Sequence, residues 1–488
     1  MKTIVKIDPE KEYNSAKQAI AALGLRDGVS SEISTLDSSV DNLKTVINVL
    51  MERATPKKRT RPPKKHKKSQ KAKARPEFDK LPSEKFPELE VKENIIKADE
   101  TPKCSCCFRE MSESGLYKSS EKLEVIPKQY FIVRHKRVIY NCRHCHGSMT
   151  NAALEPSICS RSNYGDSMII DVSLSKYCDL IPIERYCAIA ARDGLEGLPP
   201  NSLIGLTHSL ASFLAPVYEK VKAEVLSAQI IMMDETPHRM LEGDTTASWY
   251  LWGFSSVHGC IFEAHGSRSG DIPIDFLKKS AARYLLTDGY SGYRRAIREL
   301  SAEGKEIEEV FCNAHAYRYF KEASVTWESE CEPFLELYGS IYELEREAKT
   351  NEQKRIAREK MGPIFSKIKD QGASARTDAM ANSAFEKAIK YFSNHFDGLT
   401  KCLANIEIPL DNNFSERLLR SPAIGRKIWY GTHSKRGART NAILFSLVES
   451  CKINGINPRN YFAWITERIH TKKEVLTPFQ YATQIDSG

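Results

Sequence analysis

At 488 residues the chain is too long for one hydrophobic core, and its 41% hydrophobic content is ample for two to four packed units. No apolar run of about 18 residues occurs and the opening MKTIVKIDPEKEY lacks the apolar stretch of an export signal, so a soluble cytoplasmic protein with no membrane partner is expected. Thirteen unevenly spaced cysteines without such a signal point to reduced thiols and a metal cluster rather than a disulfide framework, and the net charge of +9 is concentrated in one stretch.

Within residues 1–53, Val40, Leu43, Val46, Ile47 and Leu50 recur at helical spacing, with Ser30, Ser31 and Asp37 available as caps. This predicts one amphipathic helix, either dimerising or packed on its own chain; the stripe is shorter than a coiled coil needs. Residues 54–78 read as a linker. In it, residues 57–75 carry eleven Lys and Arg, beginning with Lys57, Lys58, Arg59, Arg61, Lys64 and Lys65, and no acid, which exceeds the whole surplus of the chain. Such a run repels itself and contains proline, so it is expected to be a disordered arm that neutralises DNA phosphates or serves as a solubilising linker.

Residues 79–150 contain KCSCCFRE and NCRHCHG around segments of β-rich sequence at 123–126 and 130–140. Two knuckles, Cys104 with Cys107 and Cys142 with Cys145, can close a tetrahedral zinc site that replaces a core so small a ribbon-like unit cannot build. The gap of about 34 residues between the knuckles is long for a zinc ribbon, which leaves Cys106, His144 and His146 as substitutes. Residues 151–228 read as a helical domain. Two helical patterns there flank a Gly- and Pro-rich turn, as in a helix-turn-helix whose residues 201–208 would enter a major groove; a plain helical connector is the alternative.

From residue 229 the pattern changes to short apolar runs: strands at 229–234, 247–255 and 259–265, a helix near 273–280, a strand at 284–288, a helix at 291–300 and a strand at 306–312. The first and fourth strands deliver Asp234 and Asp288 at their ends, and DNNFSERLLR at 411–420 reads as a helix start, capped by Asp411 or Asn412, that places Glu416 in its first turns. Two strand-end Asp residues and a helical Glu suit a pair of Mg²⁺ or Mn²⁺ ions for phosphoryl transfer. Glu235 is expected only to support them. The roughly 128 residues from Asp288 to Glu416 are too many for one crossover and carry the stripes Phe334, Leu337, Tyr338, Ile341, Leu344 and Phe385, Ala388, Ile389, Phe392, Phe396, so an inserted helical subdomain at about 316–405 is expected to lead away from the sheet and back.

His315 follows the last core strand, where it could touch a scissile phosphate or be an ordinary buried histidine, and Arg318 stands one turn on. Beyond Glu416, Arg417, Arg420, Arg426, Lys427, Lys435, Arg436 and Arg439 interleave with Trp429, Tyr430 and His433, a density that suits phosphate clamping and base stacking. Residues 421–488 are expected to be helical, with helices at 440–453 and 458–470.

Asp234-Glu235-Thr236, SWYLWGF at 248–254, TDGYSGY at 287–293, CNAHAYRYF at 312–320, NNFSERLLRSPAIGRKIWYGTHS at 412–434 and NAILFSLVESCKINGINPRNYF at 441–462 together, and in that order, resemble the IS66 family of insertion-sequence transposases. The resemblance runs from about residue 100 to 465. It implies a multidomain α/β protein: an RNase H-like mixed-sheet catalytic core at 229–420 with a helical insertion, preceded by the zinc unit and the helical domain. It implies a DDE transposase that cuts element ends and joins them to target DNA, with Asp234, Asp288 and Glu416 on the catalytic cations and structural Zn²⁺ at the place of the cysteine cluster. It also implies a Cys-x-x-His motif like that of Cys312 and His315, a homo-oligomeric synaptic complex, small accessory proteins of the same element, and residence in the bacterial cytoplasm, on the nucleoid when bound to DNA. The rivals are an RNase H-like nuclease or resolvase without strand transfer, and a non-catalytic zinc-containing DNA-binding regulator.

Overall fold

The computed structural model describes residues 81–98, 100–106, 108–112, 120–141, 144, 149–241 and 249–486. The expected N-terminal helix, the basic run with Lys57, Lys58, Arg59, Arg61, Lys64 and Lys65, and Cys107, Cys142, Cys145 and His146 lie outside the described residues. The described chain falls into two compact units, one ending at Val133 and the other starting at Arg134.

The first unit holds a short helix, α1 (Pro82–Lys85), tied down where Ser83 donates to the Glu121 carboxylate from its backbone N–H at 2.8 Å and its hydroxyl at 2.8 Å. A tight turn follows at Cys104, whose N–H donates to the Arg109 carbonyl at 2.8 Å while Phe108 N–H donates back to the Cys104 carbonyl at 2.9 Å. Of the β-rich segments at 123–126 and 130–140, residues 139 and 140 enter the strand Ile139–Asn141, whereas 123–126 and 130–138 form no ladder, and Val125, Ile126, Phe131 and Ile132 are exposed. Strand propensity reflects packing against a neighbour, and among the described residues no strand is paired with them.

The second unit opens with the hairpin β1 (Ile139–Asn141) and β2 (Met149–Asn151), then four helices, α2 (Asp166–Tyr177), α3 (Ile183–Arg192), α4 (Pro200–Phe213) and α5 (Ala215–Ser227). A five-stranded mixed sheet follows: β3 (Ile230–His238), β4 (Trp249–Ser255) and β5 (Cys260–His265), then α6 (Asp271–Lys278), β6 (Tyr284–Thr287), α7 (Ser291–Ala302) and β7 (Glu308–Phe311). The strand order is β5-β4-β3-β6-β7; the first three form an antiparallel meander, and β6 and β7 join in parallel. The expected end of the first strand at Asp234 is corrected. β3 continues to His238 because β4 pairs with it from Met232↔Ser255 to His238↔Trp249, whereas β6 pairs only from Ile230 to Met232. Asp234 therefore sits just past the point where the sheet splits, with a hydrogen-bonded neighbour on one side only.

The outer edge of β5 is closed by α14 (Lys435–Ile453) rather than by another strand. Cys260 N–H donates to Ser450 Oγ at 3.0 Å and Phe262 N–H to Ser446 Oγ at 2.8 Å, while Ser450 Oγ and Tyr218 OH donate to the carbonyls of Cys260 and Phe262 at 3.2 and 3.1 Å. Four backbone groups that an edge strand would expose are thus satisfied.

The residues expected as an excursion away from the sheet form α8 (Asn313–Ala323), α9 (Glu328–Glu347), α10 (Asn351–Asp378) and α11 (Ala384–Ala404), and they share one core with it. Met232, Leu286 and Val310 of the strands lie in the same buried cluster as Phe320, Phe334, Tyr338, Phe365 and Phe392. The aromatic stripes read from the sequence face inward, as Phe320 stacked on Phe334 at 4.7 Å shows. α11 lies directly on β7 because Gly398 has no side chain: a Cβ there would collide with the Phe311 ring and stand 3.2 Å from the Glu309 carbonyl. We expect Gly398→Ala to destabilise the fold by about 1–3 kcal/mol through overpacking, read as a lower denaturation midpoint at unchanged slope.

The chain returns to the sheet through residues 405–412, which several buried groups hold. Asn313 Nδ2 donates to the carbonyls of Leu399 and Leu410 at 2.9 and 3.0 Å, Asn412 N–H donates to Cys312 Sγ at 3.1 Å, and Asn412 Nδ2 to the Met233 carbonyl at 3.4 Å. Arg358, 2% exposed, reaches across from α10 to Glu345 at 2.9 Å and the Ile408 carbonyl at 3.3 Å. After this tether come α12 (Asn413–Leu418), α13 (Arg420–Trp429), α14, α15 (Pro458–His470) and α16 (Pro478–Asp486).

Candidate active site

Gly253 is the cross-strand partner of Asp234, and it leaves room for the helices that carry Glu416 to settle over the sheet. A Cβ at Gly253 would stand 3.2 Å from Phe262 and 3.5 Å from Leu419. Asp288 follows β6 directly; its Oδ1 accepts from Tyr290 N–H at 2.9 Å, and Gly289 makes the turn with φ 88°. Glu416 lies in the first turn of α12, with Asn412 at the N-cap and Asp411 Oδ1 accepting from Asn413 N–H at 3.0 Å.

Asp234 feels the other acids of the site. Burial pushes the Asp234 carboxyl up to about 8, and the charges of Glu235, Asp288 and Glu416 push in the same direction, against the one backbone N–H that Glu235 donates at 2.8 Å. A half-buried carboxylate facing the charges of Asp288 and Glu416 is a site short of positive charge, and a divalent cation is what would relieve it.

Glu235 itself points elsewhere and is neutralised within the protein. Its side chain, 4% exposed, accepts from Arg268 at 2.5 Å and from Tyr293 OH at 2.5 Å, and Arg268 lies over the Tyr290 ring at 4.1 Å. Arg268 and Tyr293 thus hold Glu235; Tyr293 closes the TDGYSGY motif, whereas Arg268 had no mark in the sequence. Glu309 on β7 is a further acid that the sequence did not mark: burial pushes it up to about 7, opposed by Arg294, and Asp288 adds to the rise. In EEVF nothing distinguishes it from its neighbour Glu308.

His315 sits at the start of α8 between Glu416 and Arg318. Its Nδ1 lies 3.6 Å from Glu416 Oε1 and has no hydrogen-bond partner, while Arg318 spans to His315 Nε2 at 3.2 Å and Glu416 Oε2 at 3.2 Å. Burial lowers the imidazole's affinity for a proton, partly opposed by the Glu416 charge. Arg318, expected to face phosphate, is instead engaged with Glu416 in this structure.

Arg417, Arg420, Lys427, Lys435, Arg436 and Arg439 are exposed, and Arg426, half-buried, donates to Thr236 Oγ1 at 3.2 Å. The loop after α13 is stitched to the end of β3 by Thr432 N–H to the Arg239 carbonyl at 2.9 Å and Leu241 N–H to the Thr432 carbonyl at 2.8 Å. The basic segment therefore stands beside the strand that carries Asp234. Trp429, expected to stack on bases, is half-buried, with Lys176 Nζ 4.0 Å from its ring, Phe445 stacked at 6.5 Å and Tyr177 edge-on at 6.4 Å. Tyr430 next to it, 66% exposed at φ 66°, is the aromatic that the loop presents. The residues expected to face a groove, 201–208, lie on α4. There Leu203, Leu206 and Thr207 are buried, and His208 Nδ1 bonds Thr440 Oγ1 of α14 at 2.7 Å, leaving Asn201 and Ser202 exposed.

Comparison with known proteins gives the family of the chain. The model of the transposase IS66 family matches residues 161–440, more than half of the chain, and that of the zinc-finger binding domain of transposase IS66 matches residues 101–146. The chain belongs to the IS66 transposase family. It is similar to three uncharacterised proteins of Sinorhizobium fredii. With y4jD it shares 26% identity over 77% of this chain and 76% of the relative; with y4hP, 24% over 75% and 70%; with y4qI, 25% over 72% and 68%.

Proposed function

We propose that this chain is a DDE transposase with an RNase H-like core, cutting DNA at the ends of its element and joining them to a target. The observation that carries the reading is the position of Asp234 on β3 and of Asp288 directly after the parallel neighbour β6, with Glu416 near enough for its charge to add to the burial that raises Asp234. Asp234, Asp288 and Glu416 would hold the divalent cations, Mg²⁺ or Mn²⁺, which when bound supply Lewis-acid activation of the attacking oxygen and charge neutralisation at the leaving oxygen. The sheet order, with the meander β3-β4-β5 and the parallel strands β6 and β7, supports the RNase H-like assignment.

The chain's own groups do the rest. His315, with an unpartnered Nδ1 beside Glu416, is placed to orient a phosphate oxygen, and Arg318, 45% exposed, can exchange its Glu416 partner for a phosphate at little cost. Arg417, Arg420, Arg426, Lys427, Lys435, Arg436 and Arg439 form the backbone-binding surface, and the run beginning at Lys57 and Lys58 adds sequence-independent affinity. Zinc belongs to the segment 101–146, through Cys104 and its companions. A synaptic assembly of several copies, accessory proteins of the same element and action on DNA in the cytoplasm complete the proposal; among the described residues no helix is long and apolar enough to cross a membrane.

Purified protein, Mg²⁺, an element-end duplex and a target plasmid test the reading in one tube. Joined product is expected. Cleavage without joining would assign a nuclease, and a shifted but intact duplex would assign a DNA-binding regulator.

A further inference from the structure

Cys312 is not used by the proposed reaction, yet its thiol does not lie in a purely apolar setting. Cys312 caps α8, and its Sγ, a ring nitrogen of His315 and a carboxylate oxygen of Glu416 all lie within 4.8 Å of one another. Zinc with bonds of about 2.0–2.3 Å holds its ligands roughly 3.3–3.8 Å apart, so side-chain shifts of about an ångström close this set. The Nδ1 to Oε1 separation, 3.6 Å, already falls in that range.

We propose that Cys312, His315 and Glu416 form a second transition-metal site, for Zn²⁺ or a metal of similar softness, distinct from the cysteine cluster at 101–146. Thiolate and imidazole select such ions over Mg²⁺. Asn412 N–H, 3.1 Å from Cys312 Sγ, supplies the hydrogen bond to sulfur that orients a thiolate ligand. The His315 and Glu416 side chains are 21% and 20% exposed, which leaves an open side for a water or an anionic oxygen as fourth ligand. Binding releases the thiol proton to solvent. With the metal on Nδ1 the ring proton sits on Nε2, so Arg318, which now donates to Nε2, must turn away; being 45% exposed, it can.

The consequence rests on the proposed catalytic reading: Glu416 belongs to both sites, so a metal held here withdraws it from Asp234 and Asp288. A soft metal and the catalytic cations would then compete for one side chain.

The test uses the full chain, stripped of metal under reducing conditions and titrated with Co²⁺ while thiolate-to-cobalt charge-transfer absorption is followed. The wild type is expected to saturate at about two equivalents, one at each cysteine-containing site. Cys312→Ser and His315→Ala should each lose about one equivalent, and Cys104→Ser the other. The His315 variant keeps the test valid if burial of a serine hydroxyl prevents Cys312→Ser from folding, and melting in chelator confirms that the variants are folded. Saturation of the wild type and His315→Ala at the same stoichiometry overturns the proposal. No cleavage step enters the measurement, so failure of the transposase reading leaves its result intact.

Discussion

Asp234→Asn is expected to reduce DNA cleavage on the order of 10³-fold while making the metal-free protein more stable at pH 8. The two effects have one cause. The Asp234 carboxyl is raised from its ordinary 3.8 to about 8, so the folded protein holds a proton there that the unfolded chain has released. Below about pH 4 both states are protonated and the stabilising contribution is fully present. It is lost as pH rises through the interval up to about 8, because folding must then either retain the proton or bury a charge among Glu235, Asp288 and Glu416. Asparagine resembles the protonated acid at every pH. The variant should therefore match the wild type near pH 4.5 and exceed it at pH 8 by about 2 kcal/mol, well below what the whole shift converts to, since the site is open to water. Thermal melts in chelator at the two pH values measure this. Adding Mg²⁺ should raise the wild-type midpoint at pH 8 and leave the variant unmoved; a variant no more stable than wild type at pH 8 would sink the argument.

Arg358→Met should cost about 2–4 kcal/mol of stability and also impair cleavage, although Arg358 is far along the chain from every acid of the site. Its guanidinium is buried and binds Glu345 and the Ile408 carbonyl, so removal leaves an acid and a carbonyl without their partner. The Glu345 side chain is 26% exposed and can partly rehydrate, which keeps the cost below that of a fully enclosed pair. Ile408 belongs to the tether that leads into α12, so loosening it loosens Glu416. Adding Glu345→Gln should recover part of the stability but not the cleavage rate. Recovery of both would show that only the ion pair matters, and loss of DNA binding in the single variant would show general unfolding.

These two residues mark how far the sequence was legible. Asp234, Asp288 and Glu416, the acids of the proposed site, stand out in the sequence because each breaks a local pattern: two end apolar runs, and one opens a helix behind an Asn cap. The strands and helices of the sheet fell within a few residues of their expected places for the same reason, since periodicity is a local property. Arg358 breaks no pattern. It is one cation on a charged helix, and its importance comes from Ile408, 50 residues away. Glu309 and Arg268 were invisible for the same reason. The packing of Trp429 was hidden in the same way, since Lys176 and Phe445, which meet its ring, are remote in sequence.

The serines of α14 carry a consequence for synthesis. Cys260 and Phe262 wait for Ser446 and Ser450, which the ribosome delivers more than 180 residues later. Throughout that interval the growing polypeptide offers unsealed hydrogen-bonding groups to any extended stranger it meets. Copies of the gene cut short before codon 435 would leave three of the four groups open, with only Tyr218 on the Phe262 carbonyl, so shortened remnants of such an element should yield insoluble product rather than a quiet competitor of the intact protein.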